Sequence, residues 1–233
     1  MISENLNIVK EKIRKVCFKI NRNPEDIRLI AVSKNTGITQ IHEAIGLGMK
    51  DFGENKAQEF SEKFSLIGKE IIWHFIGHLQ RNKVKFVVGK AKFIHSVESL
   101  KLAEEINKQA EKINYVQKIL LEIRTSEEQN KFGLADITDI LDLVNYIRNM
   151  KSLELVGLMT MAPLTNDEKI IRKCFSDLRK LKTVLNERGM EIKELSMGMT
   201  NDYEIALEEG STMLRLGTAI FGERDYSKNW KEL

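Results

Sequence analysis

Eight short apolar runs, at residues 27–34, 51–54, 71–77, 93–97, 116–124, 153–160, 192–196 and 213–217, alternate with stretches whose apolar residues recur at helical spacing. Such alternation is the pattern of parallel βα units, because parallel neighbours need a long crossover connection and a helix supplies it. Eight units within 233 residues predict an α/β fold, a closed (β/α)8 or TIM barrel. An open doubly wound sheet is the competing architecture; against it, no G-x-G-x-x-G turn follows the first run. An extra helix precedes the first unit. Residues 2–21 carry Leu6, Ile8, Val9, Ile13, Val16, Cys17 and Ile20 at helical spacing, and Pro24 ends the pattern.

Helices are expected at 38–49, 56–67, 79–88, 99–113, 136–150, 167–188 and 202–209, with Ser99 as the N-cap of the fourth. A polar loop, TSEEQNKFG, follows the fifth run. No repeat, low-complexity tract or linker divides the chain, so a single domain spanning 1–233 is expected. The formal charge of +3 (37 basic, 34 acidic residues) is too mild to argue for nucleic acid or an anionic membrane. The two cysteines, Cys17 and Cys174, lie in helical patterns and imply no disulfide framework, which favours a reducing cytosol. The opening MISENLNIVKEKIRKV carries charge throughout, unlike a secretory leader. No apolar run approaches the roughly 20 residues that span a bilayer.

Barrel enzymes build their sites at the carboxyl ends of the strands. The polar residues there are Lys34, Glu54, Asn55, His74, His78, Ser96, Glu98, Arg124, Thr160, Ser196, Arg215 and Thr218. Lys34 ends an apolar strand, LIAVSK. An amine with its stem in an apolar mouth is disfavoured as the ammonium and suited to nucleophilic attack on a carbonyl; a lysine snorkelling to solvent is the competing reading. Two glycine turns, SMGMT and RLGTAIFG, follow the seventh and eighth strands, where such barrels often hold phosphate. Gly198 and Gly217 let backbone N–H groups approach an anion, and Ser196, Thr200 and Thr218 add hydroxyls. Arg215 sits between Leu214 and Leu216 and faces away from both. It suits a carboxylate, a phosphate or a heteroaromatic nitrogen, or else a structural ion pair with a carboxylate such as Glu122. His74 and His78 read as strand, and no Cys or Asp completes a metal set, so no metal is expected. His42 and His95 read as packing residues, Met159 and Met161 as core or pocket wall, and QRNKVK as a solvated face or an anion-steering rim.

The segments AVSKN, DFGENKAQE, WHFIGHLQRNK, HSVES, GLMTMAP, LSMGMTNDYEIAL and STMLRLGTAIFGER together resemble the pyridoxal phosphate homeostasis protein family, over about residues 30–224. That family is similar to the barrel domain of bacterial alanine racemases, the fold-type III barrel. The resemblance implies a cytosolic protein that binds pyridoxal 5'-phosphate (PLP) and helps control vitamin B6 and amino-acid balance. By motif, Lys34 corresponds to the lysine that forms an aldimine with the cofactor. Ser196, Gly217 and Thr218 correspond to the phosphate holders, and Arg215 to the arginine facing the pyridine nitrogen. Asn55, His74 and Met197 correspond to positions near the ring or pocket wall. Asn35, Lys56 and Arg124 depart from the family pattern at the rim.

An arginine donating to the ring nitrogen keeps that nitrogen unprotonated and weakens the ring as an electron sink. A racemase also needs a second acid/base on the opposite face of its substrate, which the racemases draw from an added domain. The expectation is therefore a PLP carrier or buffer without efficient catalysis, with no catalytic residue assigned. The alternatives are a slow PLP-dependent amino-acid racemase and a barrel for some other phosphorylated metabolite. Amino acids or the apo forms of PLP-dependent enzymes are the candidate partners, and a monomer is expected.

Overall fold

The computed structural model describes residues 1–126, 132–224, 227 and 229–233. Five residues of the expected polar loop, 127–131, lie outside them. After the N-terminal helix α1 (Ile2–Lys19), the strands are β1 (Arg28–Val32), β2 (Asp51–Glu54), β3 (Ile72–Phe75), β4 (Phe93–Val97), β5 (Gln117–Glu122), β6 (Leu153–Met159), β7 (Glu194–Ser196) and β8 (Met213–Leu216). They close in sequence order, each parallel to its neighbours, with β8 pairing β1. The (β/α)8 barrel expected from the alternation is therefore present.

The covering helices are α2 (Ile38–Gly46), α3 (Ala57–Ile67), α4 (Leu100–Glu111), α5 (Ile137–Ile147), α6 (Glu168–Glu187), α7 (Tyr203–Glu208) and α8 (Thr218–Phe221). Ser99 caps α4, its hydroxyl accepting from the Leu102 amide at 3.4 Å. Asp136 and Asp167 cap α5 and α6 in the same way. The helix expected at 79–88 is instead a 3-10 turn over Arg81–Phe86. Its bonds run from Lys83 N–H to the Gln80 carbonyl and from Val87 N–H to the Val84 carbonyl. Leu79, Val84 and Val87 are all buried, and the tighter winding turns them onto the core within a short connection. No run signalled α8 or the C-terminal 3-10 turn Trp230–Glu232, whose Trp230 is buried.

Helix α1 has a structural task. With α8 only one turn long, the outer ring lacks cover beside β8. The apolar stripe Ile2, Leu6, Val9, Ile13, Val16 and Cys17 of α1 is buried there, against α7 and α8. Asn5 Nδ2 donates to the Ile220 carbonyl at 3.0 Å and pins it.

Period-two alternation along the strands divides the core. Outward side chains pack under the helices, where Phe60 meets Trp73 and Phe75 edge-on at 5.7 and 6.1 Å. Inward side chains form a separate layer of Ile30, Phe93, Leu120, Val156, Met159 and Met213. Cys17 and Cys174 are both buried thiols, and Cys174 Sγ donates to the Thr125 carbonyl at 3.4 Å. Among the described residues, no helix is long and apolar enough to cross a membrane.

Candidate PLP site

The carboxyl ends of the strands open into a cavity of about 420 Å³, within the roughly 300–1,000 Å³ usual for small-molecule sites. It gathers Lys34, Asn55, Arg215, Gly217 and Thr218, five of the eight residues singled out from the sequence. Glu122, His78, Met161, Thr200 and Arg224 also line it. The amine near one end of the chain and the glycine turn near the other thus share one mouth. Lys34 is half-buried there, just past the end of β1.

The other three lie deeper. His74, Ser196 and Met197 are fully buried and are not among its lining residues. The Ser196 hydroxyl accepts from Arg215 Nη1 at 2.6 Å and bonds His95 Nδ1 at 2.9 Å. Its side chain is therefore engaged by the arginine rather than turned to the cavity. Gly198 is in the left-handed region (φ +99°), and a Cβ there would press on Ala206 and Leu214; its shape serves packing of the turn.

Arg215 reaches the cavity from the penultimate position of β8. Nη2 donates to the Thr160 carbonyl at 2.9 Å while Nη1 holds Ser196. Burial pulls this guanidinium down to about 10, against the opposing charges of Asp202 and Glu122, so it stays a cation at neutral pH. No ion pair joins it to Glu122 among the described residues, which sets aside the structural-pair alternative; its partners are neutral oxygens.

Lys34 is held through its neighbours. Ser33 Oγ donates to Glu54 Oε1 at 2.7 Å, and the Ser33 carbonyl accepts from Lys63 Nζ at 2.6 Å. The Asn35 amide donates to Glu59 Oε1 at 2.7 Å, with Asn35 itself at φ +50°. Lys63 Nζ ties the set together, donating to Glu54 Oε1 at 2.9 Å and Glu59 Oε1 at 2.7 Å. Its side chain is wholly buried and faces the Trp230 ring at 5.1 Å. Sequence reading missed this clamp. The available signal was Glu59 and Lys63, an i,i+4 pair lying on the same stripe of α3 as Phe60 and Ile67.

Glu122 is the second group that the motifs did not place in the cavity. Its carboxyl is pushed up to about 7 by burial and by the like charge of Glu98, with Arg215 pulling it down. Relative to an unfolded value of 4.5, the native state keeps a proton that the unfolded chain releases. The resulting stability is fully present below pH 4.5 and is lost as pH rises through 7. At about 1.4 kcal/mol per pH unit, the loss is at most roughly 3–4 kcal/mol. Urea titrations at pH 5 and pH 8 should therefore find Glu122→Gln gaining on the parent chain at the higher pH. A difference that does not change with pH would count against this assignment.

The cavity suits a phosphorylated carbonyl compound. Three cationic side chains, Lys34, Arg215 and Arg224, converge on it with the hydroxyls of Thr200 and Thr218. Two of its lining residues also carry buried polar atoms with no partner among the described residues, Asn55 Oδ1 and Arg224 Nε; buried polar atoms of this kind ask for a polar partner. The absence of a side chain at Gly217 matters here too. A Cβ would collide with the Arg224 guanidinium, whose Nη2 donates to the Val32 carbonyl at 2.9 Å.

Comparison with known proteins agrees. Residues 5–225 match the family described as alanine racemase, N-terminal domain. A protein of Aquifex aeolicus named pyridoxal phosphate homeostasis protein is 39% identical over 96% of this chain and 98% of its own. A Haemophilus influenzae protein of the same name is also 39% identical, over 97% of each. The solved structure of PipY from Synechococcus elongatus with PLP bound superposes with a TM-score of 0.84 at 30% identity, covering 95% of this chain and all (100%) of that one. The chain belongs to the pyridoxal phosphate homeostasis protein family, built on the barrel of the alanine racemase N-terminal domain.

Proposed function

We propose that this chain is a PLP-binding protein of intracellular vitamin B6 homeostasis, acting as a single domain over residues 1–233 in the cytoplasm. The observation that carries the reading is the meeting of Lys34, Arg215 and the Gly217–Thr218 turn around one cavity. The PLP-bound PipY relative supports it. PLP supplies an aldehyde that condenses with a primary amine, and an electron-withdrawing ring.

Each residue then has a task. Lys34 offers the primary amine. Arg215 keeps N–H donors beyond those given to Ser196 and Thr160, and these can meet an acceptor in the cavity without giving up a proton. Thr218, Thr200 and Arg224 present a hydroxyl-rich, cationic wall to a phosphate, and Gly217 leaves the backbone open. Ser196 supports Arg215 from below. Asn55 lines the same space, while His74 and Met197 are buried behind the lining residues. The chain acts as a monomer that holds the cofactor for amino acids or for apo forms of PLP-dependent enzymes.

Reduction of the PLP-loaded protein with borohydride, followed by peptide mapping, tests the reading. Label on Lys34 is expected; label on another lysine, or none, overturns it. A slow amino-acid racemase is the second reading. Glu122 favours it, since a cavity carboxyl near 7 can give or take a proton at physiological pH. Racemisation of L-alanine above the rate of free PLP, lost in both Lys34→Ala and Glu122→Gln, would select it.

A further inference from the structure

A continuous line of side-chain hydrogen bonds runs through the barrel interior from its amino-terminal face to the cavity. At the base, Arg28 Nη1 donates to Asp51 Oδ1 at 2.7 Å. The same oxygen bonds His74 Nε2 at 2.9 Å. His74 Nδ1 meets His95 Nε2 at 2.9 Å, and His95 Nδ1 meets Ser196 Oγ at 2.9 Å. Ser196 Oγ accepts from Arg215 Nη1 at 2.6 Å. The line crosses the apolar inner layer, with His74 stacked on Phe93 at 4.8 Å.

We propose that Asp51, His74, His95 and Ser196 are positioning residues: they form one directional relay that fixes the orientation of Arg215 in the cavity. The proposal rests on the reading of Arg215 as a PLP contact. Its two ends set its direction. A guanidinium can only donate, and an ionised carboxylate can only accept. With one proton on each imidazole, every bond is satisfied in a single arrangement. His74 carries its hydrogen on Nε2 and donates to Asp51. His95 carries its hydrogen on Nε2 and donates to His74. The Ser196 hydroxyl donates to His95 and accepts from Arg215.

An added proton on either ring breaks this arrangement. It reverses the bonds above it and leaves the Ser196 hydroxyl hydrogen facing His95 Nδ1–H, without its acceptor. The surroundings favour the neutral rings. Burial holds His95 well below the ordinary imidazole value, and the nearby His74, Arg215 and Arg28 add to the effect. Burial also holds His74 down, against the pull of Asp51 and Glu194. Burial pushes the Asp51 carboxyl up, but the bonds from His74 and Arg28 and the Arg28 charge outweigh it and keep Asp51 low. An Arg215 so anchored has less freedom to lose when a ligand binds.

The first test is on the unaltered chain. The four histidines make long-range proton–nitrogen spectra of 15N-His-labelled protein tractable. Both His74 and His95 should be neutral with hydrogen on Nε2 between pH 6 and 8. An imidazolium, or hydrogen on Nδ1, at either position overturns the relay. The second test compares His95→Phe with His95→Gln, whose amide offers both a donor and an acceptor. His95→Phe should merge the separate Arg215 Nη–H signals and weaken PLP binding about tenfold, the scale of one lost hydrogen bond. His95→Gln should restore most of both. Unchanged Arg215 signals and PLP affinity in a folded His95→Phe would also overturn it. Failure of the unaltered chain to bind PLP sinks the functional reading alone, because the imidazole spectra decide the relay without cofactor.

Discussion

Lys34→Ala is expected to abolish borohydride-trappable PLP and to leave only weak, reversible binding. Lys34 is the lysine that lines the strand-end cavity with Arg215 and the Gly217 turn. Lys63, the other amine close to that strand end, is wholly buried and already donates to Ser33, Glu54 and Glu59, so it is no substitute. Without the covalent link, retention rests on hydrogen bonds from Arg215 and the hydroxyl wall. Two charge-assisted bonds at about 1.5–3 kcal/mol each correspond to Kd values from the millimolar range to tens of micromolar. Such a complex does not survive gel filtration. Lys34→Arg separates charge from nucleophilicity: it keeps a cation for the phosphate but cannot condense with an aldehyde. Both variants should lose the trapped label, with Lys34→Arg binding PLP more tightly in equilibrium dialysis. Retention of the label in either variant would move the attachment elsewhere.

Fold and site were legible to different degrees for a physical reason. Strand count and order follow from local patterns, apolar runs and helix stops, and each is written in contiguous residues. The site residues that a strand end presents directly, Lys34 and Arg215, are legible for the same reason. The 3-10 turn at Arg81–Phe86 was not, because Leu79, Val84 and Val87 fit either winding and only the distance to be bridged decides. The clamp on Lys34 was not either, since it joins β1, β2 and α3 with the C-terminal Trp230. Ser196 is the instructive middle case. Its position at the end of β7 suggests a hydroxyl for phosphate. The structure gives that hydroxyl to Arg215 and His95, a pairing across the barrel that no local pattern encodes. His95 reads as an isolated packing histidine and His74 as a strand-end residue near the pocket wall, and only the pairing of β3 with β4 brings them within 2.9 Å.

The clamp carries the largest stability prediction. Lys63→Met keeps a side chain of similar length but removes the only cation that, among the described residues, its carboxylate partners touch: Glu54 is wholly buried and Glu59 nearly so. Removing one partner of a buried ionic set strands the other charges, at a cost of about 3–5 kcal/mol. For a chain of this size, at about 2–4 °C per kcal/mol, the melting temperature should fall by roughly 6–20 °C. The loss should depend on pH in a definite sense. Glu54 already sits at about 7, raised by burial against the pull of Lys63 and with Glu59 adding to the rise. Without Lys63 the native Glu54 carboxyl holds its proton to still higher pH, while in the unfolded chain it titrates near the ordinary 4.5. Stability of the variant is then best preserved in acid and declines as pH rises, so the gap to the parent should be wider at pH 8 than at pH 5. Adding Glu54→Gln and Glu59→Gln to Lys63→Met should recover much of the loss and flatten the pH dependence, because no buried charge remains to be paired. Calorimetry that found Lys63→Met as stable as the parent at pH 8 would show that the set at Ser33 and Asn35 is not what holds the Lys34 segment in place.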